Sequence, residues 1–165
     1  MYITILIITS LTLLVVLGFC YLEIRRQTKP RIKIYFPDGS TRASYKAKEE
    51  TNVTLHIKNS GRLTFPKPAA TEMTLYIYAP TSFQLKKLEY GNKSETTVND
   101  APAGGIFRDM RYLSMTGTFD LFHQEEEVVT VLMQMPEKTG KYTIKVPVTS
   151  REGDLGIHEL EIIVT

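Results

Sequence analysis

The sequence predicts an all-β antiparallel sandwich preceded by one N-terminal transmembrane α-helix. Three observations support this prediction. None of the first 22 residues is charged, five cations follow before residue 34, and the remainder consists of short alternating segments separated by turn residues. We therefore expect a transmembrane helix over residues 1–24, a basic juxtamembrane strip over 25–33, and one sandwich domain over 34–165.

The apolar run extends from Tyr2 to Leu22 and contains only scattered Ser and Thr besides its apolar residues. A helix of this length measures about 30 Å, which matches the hydrocarbon core of a bilayer. Cys20 is the one cysteine of the chain, so no internal disulfide can form. Because Phe19 stands where a lipoprotein signal needs a small residue, we expect an inert thiol instead of a lipidated one.

The basic strip follows the apolar run directly. With Glu23 it carries a balance of +4, whereas the whole chain carries +2, so the domain that follows is mildly acidic. This distribution favours contact with lipid headgroups and argues against nucleic-acid binding. The predicted membrane-surface residues are Arg25, Arg26, Lys29, Arg31 and Lys33.

Alternating apolar residues predict the strands of the domain. In the segment 52–58, for example, Val53, Leu55 and Ile57 are expected to face inward, with the residues between them facing solvent. Turn residues separate the strands, as in Pro37-Asp38-Gly39. The predicted strand segments are 31–36, 52–58 (closed by the turn Asn59-Ser60-Gly61), 73–80, 83–91, 118–123, 127–136, 141–150 and 156–165.

Two segments lack this clear alternation. Residues 94–105 are small and polar, and the pattern predicts a loop. Residues 106–115 fit either one face of a helix or a distorted strand. Tyr142, which follows Gly140 at the start of a late strand, is either a tyrosine corner or an ordinary core tyrosine.

Two stretches carry a resemblance to a known domain type. The stretch KEETNVTLHIKNSG, and later VVTVLMQMPEKTGKYTIKVPVTSREGDLGIHELEIIV, resemble immunoglobulin-like domains of the cell-adhesion-related (CARDB) type. The resemblance implies an immunoglobulin-like antiparallel β-sandwich of a kind found on prokaryotic cell surfaces. It implies no catalytic residues, because these domains share none.

The sequence contains no phosphate-binding loop, HExxH motif, nucleophile elbow or paired carboxylates, so we expect a protein that is not an enzyme and has no cofactor. His56, His123 and His158 fall on separate segments without metal-ligand spacing. Thioethers suit Cu(I), which makes Met133 and Met135, with His123, candidates for a copper-handling site; core packing explains the methionines better.

Two arguments conflict over the side of the membrane. The cations after the span place the domain in the cytoplasm by the positive-inside rule. The resemblance to surface domains, together with the glycosylation sequons at Asn52 and Asn92, favours the extracytoplasmic side, which we expect.

Together these features predict a non-catalytic accessory or structural subunit that docks onto a larger membrane or envelope complex. The alternative is a surface module that binds an envelope protein or glycan. The expected partners are the bilayer and other membrane or envelope proteins, without nucleic acid or a small-molecule ligand. The candidate docking residues lie beside Gly104-Gly105 and are Ile106, Phe107, Met110, Tyr112 and Leu113.

Overall fold

Two β-sheets contain most of the residues that the computed structural model describes, which are 10–21, 30–61, 69–101, 105–115 and 117–165. One sheet has five strands and the other has seven. Apolar residues from both sheets form a shared buried core. This arrangement confirms the predicted all-β sandwich.

The five-stranded sheet is antiparallel, and its two longest strands, β3 and β10, lie next to each other. In spatial order its strands are β1 (Ile32–Tyr35), β3 (Glu50–Asn59), β10 (Glu126–Gln134), β5 (Gln84–Tyr90) and β6 (Lys93–Glu95).

The seven-stranded sheet has the long strands in its middle. In spatial order these strands are β2 (Arg42–Tyr45), β12 (Gly153–Val164), β11 (Gly140–Ser150), β4 (Ala70–Pro80), β8 (Met110–Ser114) and β7 (Val98–Asp100), with β9 (Phe119–Leu121) also paired to β4. Its strand pairs are antiparallel except β2 with β12, which run parallel. The expectation of a fully antiparallel sandwich is corrected at this one pair.

The core forms because alternate residues of each long strand face the other sheet. In β3, Val53, Leu55 and Ile57 are buried, which confirms the predicted alternation. Burying one such side chain stabilises the fold by about 1.5–3 kcal/mol. The facing strands contribute the buried residues Leu75, Ile77, Ile144, Val146, Leu160 and Ile162.

Three short strands were not predicted: β2, β6 and β7. Strands β6 and β7 fall largely within the segment expected to be a loop. Their residues are RASY, KSE and VND, and none of their side chains is fully buried. KSE and VND show no apolar alternation, whereas in RASY Ala43 and Tyr45 pack against the core, a signal over four residues that was not recognised. They form because backbone groups of longer neighbouring strands remain available for pairing at the sheet edges. The ambiguous segment resolves into a short 3-10 helix (Gly105–Phe107) followed by strand β8.

The turn between β1 and β2 follows the predicted chemistry. Gly39 has φ +80°, a conformation that favours glycine, and its N–H donates to the carbonyl of Phe36 at 2.8 Å. Strand β1 begins at Ile32, so Lys33, which was assigned to the juxtamembrane strip, belongs to the first strand of the sandwich.

Residues 10–21 are helical, and their large apolar side chains are exposed. The remainder of the predicted transmembrane helix, residues 1–9 and 22–24, lies outside the described residues. Within the described part of the chain, no helix has both the length and the apolar character needed to cross a membrane.

Asn59 is a fully buried polar residue at the end of β3. Its side-chain oxygen accepts hydrogen bonds from the N–H groups of Arg31 (3.2 Å) and Gly61 (3.1 Å), and its amide donates to the carbonyl of Leu121 (3.1 Å). Its own carbonyl accepts from the N–H of Gln124 at 2.9 Å. The side chain thus links the entry to β1, the end of β3 and the end of β9, and the main chain of Asn59 adds the connection between β9 and β10.

Tyr142 forms a tyrosine corner, which confirms one of the two alternatives open from the sequence. Its hydroxyl donates to the carbonyl of Lys138, four residues upstream, at 2.7 Å. Its ring meets the buried ring of Phe83 edge-on, with centroids 5.2 Å apart.

Removing only this hydroxyl tests its contribution. We expect Tyr142→Phe to lower the free energy of unfolding by about 1 kcal/mol, the usual net value of one hydrogen bond. Chemical denaturation of the full chain in nonionic micelles measures this. Tyr112→Phe is the matched control, since the Tyr112 ring is also half-buried. Equal stability of the two variants would contradict the corner's role.

Candidate interaction surface

The 3-10 helix (Gly105–Phe107) lies against the outer face of the seven-stranded sheet. The ring of Phe107 stacks on Tyr78 of β4, with centroids 4.2 Å apart. Tyr78 also stacks on Tyr112 of β8 at 4.8 Å, and Tyr112 meets Tyr76 edge-on at 5.9 Å. These four residues, Tyr76, Tyr78, Phe107 and Tyr112, are called the aromatic cluster below.

The aromatic cluster follows from strand register. Tyr78 and Tyr112 are direct cross-strand partners, and Tyr76 lies two residues earlier on the same face of β4. Burial raises the pKa of the Tyr78 hydroxyl above its ordinary 10.0, and the neighbouring Tyr112 and Tyr76 raise it further. The Tyr78 hydroxyl therefore stays protonated and neutral at physiological pH.

A lysine from β11 also holds the 3-10 helix. The Lys145 ammonium donates to the carbonyl of Ile106 at 2.8 Å and lies 3.7 Å from the Glu159 carboxylate. The Lys145 side chain is largely buried, at 18% exposure, because it extends along the sheet beneath the helix. The helix is thereby fixed by ring stacking at Phe107 and by a charged hydrogen bond at Ile106.

The predicted docking residues separate into two groups in the structure. Ile106 is 55% exposed, and Phe107 and Tyr112 are half-buried beneath or beside it. Leu113 is fully buried in the shared core, and Met110 is also buried, so neither is available to a partner on the folded domain. The accessible part of the candidate surface is therefore Ile106 with the aromatic cluster.

The three candidate copper ligands do not all occupy the same environment in the structure. Met133 and Met135 are buried in the core, and His123 is partly exposed in the connection from β9 to β10. The structure does not place the three as a ligand set. Across the described ranges, no three His, Cys, Asp or Glu residues lie together in a way that would hold a metal ion.

The predicted membrane-surface cations are only partly described. Arg25, Arg26 and Lys29 lie outside the described residues, whereas Arg31 and Lys33 are exposed at the start of β1. Lys33 lies on the outer face of the five-stranded sheet, directly opposite Lys58 of β3. Composition and spacing do not connect these two lysines, because the pairing of β1 with β3 cannot be read from either.

Next to the two lysines, three side chains form a hydrogen-bonded group. Glu126 accepts hydrogen bonds from the Tyr35 hydroxyl at 2.9 Å and from the His56 ring, and the Tyr35 and His56 rings stack at 5.8 Å. The bond from His56, followed by the bond from Tyr35 and the charge of Lys58, lowers the pKa of Glu126 below its ordinary 4.5. Its carboxylate is therefore ionised well into the acidic range.

This group makes stability pH-dependent in a definite direction. The pKa of Glu126 is lower in the folded state than in the unfolded state. The ionised carboxylate therefore stabilises the folded state above pH 4.5, and this stabilisation is lost as pH falls through the folded-state pKa. We expect Glu126→Gln to flatten the acid side of the curve of unfolding free energy against pH. Tyr35→Phe, which removes one of the two donors, should give an intermediate curve. A wild-type slope retained in Glu126→Gln would contradict the prediction.

Comparison with known proteins identifies the fold. Neither a protein-family model nor a curated protein matches the sequence. Among solved structures, the chain is similar to AvmM, which catalyses macrocyclization in alchivemycin A biosynthesis, with 12% identity, a TM-score of 0.52, and coverage of 83% of this chain and 89% of that one. It is also similar to the CARDB domain of a Pyrococcus furiosus protein, with 14% identity, a TM-score of 0.41, and coverage of 83% and 94%.

In fold, the chain resembles the CARDB domain. A third similar structure is the N-terminal domain of the Streptococcus gordonii adhesin Sgo0707, with 12% identity, a TM-score of 0.42, and coverage of 83% of this chain and 32% of that one. At such identities the likeness concerns fold alone, and it assigns no activity to this chain.

Proposed function

We propose that this protein is a membrane-anchored, non-catalytic accessory subunit whose sandwich docks onto a membrane or envelope protein through Ile106 and the aromatic cluster. The observation that carries the proposal is an apolar residue held exposed on a rigid support. Ile106 is 55% exposed, while Phe107 and Lys145 fix its backbone to the sheet. A pre-ordered apolar contact of this kind costs little conformational entropy when a partner binds.

The anchor is supported by the helix over residues 10–21. Its large apolar side chains are between 52% and 75% exposed, and none belongs to the sandwich core. Such a continuous apolar surface is unfavourable in water and favours lipid. The described helix is about 18 Å long, and the apolar run in the sequence continues in both directions to Tyr2 and Leu22.

The short connection after the anchor limits where the partner can be. Between Leu22 and the first residue of β1, Ile32, the chain can span at most about 36 Å even when fully extended. The sandwich would therefore remain close to the bilayer, and so would the protein that it contacts. We propose that the domain is on the extracytoplasmic side. Adding protease to intact cells tests this, and a domain that remains protected would overturn it.

The non-catalytic part of the proposal rests on the sequence, which lacks recognisable catalytic motifs. The glycan-binding alternative is less well supported by the aromatic cluster. Sugars stack on free aromatic faces, whereas Tyr78 stacks with both Phe107 and Tyr112. Turnover by the full chain in a broad hydrolase and oxidase screen would contradict the proposal.

Co-purification from native membranes tests the docking surface. We expect Ile106→Asp to reduce recovery of a specific membrane partner at least about tenfold, corresponding to about 1.4 kcal/mol of lost binding. Gln84→Asp is the matched control, because Gln84 is exposed on β5 of the other sheet. A photo-crosslinker at position 106 should label the same partner, and one at position 84 should not. Equal recovery with both variants would overturn the proposal.

A further inference from the structure

A cleft on the outer face of the five-stranded sheet has no role in the proposed docking. Its volume is about 390 Å³, within the roughly 300–1,000 Å³ range of small-ligand sites. It lies where β1 meets the end of β3 and the connection that precedes β10. We call it the basic cleft; its lining residues are Lys33, Tyr35, Gly39, Lys58, Ser60 and Gln124.

Two like charges face each other in this cleft. Lys33 and Lys58 are direct cross-strand partners, an arrangement that destabilises a sheet unless an anion compensates it. Within the described residues, no carboxylate lies within ion-pair distance of either ammonium group. Other lysines of the domain do have acidic partners at that distance, namely Lys48, Lys86, Lys87 and Lys145.

One carboxylate beside the cleft acts on Lys58 without forming an ion pair. Glu126 is the cross-strand partner of Lys58 on the other side, and its charge interacts with that lysine. Hydrogen bonds from His56 and Tyr35 hold the carboxylate away from ion-pair distance, and Lys33 has no such neighbour on β1. Asp38, in the turn beside Gly39, accepts from the N–H of Ser40 at 2.9 Å. Exposed Arg31 adds a further positive charge near the cleft.

The hydroxyl groups of the cleft already donate hydrogen bonds within the protein. The Tyr35 hydroxyl donates to Glu126, and the Ser60 hydroxyl donates to the carbonyl of Arg31 at 3.1 Å. The donors that remain for a ligand are the two ammonium groups and the side-chain amide of Gln124. Two cations and one neutral donor form a site for a small, multiply charged oxyanion.

We propose that the basic cleft binds a phosphate group between the Lys33 and Lys58 ammonium groups, with Gln124 as the third donor. A phosphate presents several charged oxygens at once, so it bridges both lysines and relieves their repulsion. The group is supplied either by a lipid headgroup or by free phosphate. Only the lipid source rests on the proposed membrane anchorage.

Lysine acetylation of the full chain, read by mass spectrometry, tests the site. In phospholipid-free nonionic micelles, inorganic phosphate is compared with chloride at equal ionic strength. We expect acetylation of Lys33 and Lys58 to slow about threefold when phosphate is at about twice its Kd, because only empty sites react. Lys141, exposed on β11 of the other sheet, is the internal control and should be unaffected.

A second arm identifies the source of the phosphate group. The chain is placed in nanodiscs of phosphatidic acid or of a galactolipid that lacks phosphate. Protection by phosphatidic acid but not by inorganic phosphate supports a headgroup site, and the reverse supports a soluble ligand. Unchanged acetylation in both arms, or equal slowing at Lys141, overturns the proposal. The micelle arm needs no anchor, so it can fail or succeed independently of the proposed function.

Variants sharpen this test. Lys58→Gln should weaken phosphate binding about tenfold, the equivalent of about 1.4 kcal/mol, so that at the same phosphate concentration the slowing of Lys33 acetylation falls from about threefold to about 1.2-fold. Lys141→Gln should leave that protection unchanged. Full protection of Lys33 in Lys58→Gln would overturn the shared site, even if the wild-type footprint were positive.

Discussion

Replacing Asn59 by alanine is expected to lower the free energy of unfolding by about 3 kcal/mol, because it leaves several buried backbone groups without partners. The N–H groups of Arg31 and Gly61 lose their acceptor, and the carbonyl of Leu121 loses its donor. The side chain is fully buried, so water cannot readily take its place. Denaturant unfolding of the full chain in nonionic micelles measures the change.

Asn52→Ala is the matched control for Asn59→Ala. It makes the same chemical change on the same strand, but at an exposed position. We expect it to alter stability by no more than about 0.5 kcal/mol. A loss below about 1 kcal/mol in Asn59→Ala would show that the three segments it links are held together by other contacts.

Truncating Leu113 to alanine is expected to cost about 3 kcal/mol, in the usual range for a fully buried leucine. Leu113 pairs with Ile77 of β4 and with Val98 of β7, and it lies in the shared core, so its removal leaves a cavity between the sheets. Thermal or denaturant unfolding of the full chain gives the value.

The control for Leu113→Ala is Ile106→Ala, seven residues earlier in the same predicted docking segment. Because the Ile106 side chain is exposed, we expect a stability change within about 0.5 kcal/mol. The pair of variants separates the two roles of the segment, since Ile106 would affect docking and Leu113 would affect folding. Similar losses in both would contradict this division.

The long strands were predictable from the sequence because their inward positions are regularly apolar. In β3, inward Val53, Leu55 and Ile57 alternate with polar residues, and in β10 and β12 buried apolar positions also recur at every second residue, although some outward positions, such as Val128 and Ile157, are apolar too. The sequence also carries a signal for the burial of Asn59, which was not predicted. Its position is even-spaced from Ile57 and therefore inward, and an Asn two residues before Gly61 is typical of an Asx turn.

Other features depend on contacts that no local pattern encodes. Strands β6 and β7 form by pairing with longer neighbours, and their own residues show no apolar alternation. Strand β2 has only two alternating apolar residues, Ala43 and Tyr45, and also depends on its longer neighbour. The burial of Leu113 and the exposure of Ile106 follow from the change from 3-10 helix to strand between them. The basic cleft depends on the register that places Lys33 opposite Lys58, and register emerges only when the sheet is assembled.

The hydrogen bond from Lys145 to the Ile106 carbonyl has a consequence for genetic studies of this protein. Lys145 is largely buried and belongs to a different strand, so a binding partner would not touch it directly. Losing its amine would nevertheless loosen the backbone that presents Ile106, at little cost to the rest of the sandwich. Substitutions that weaken association therefore need not mark the contact area, and suppressors of such defects would be found on β11 as well as on the partner.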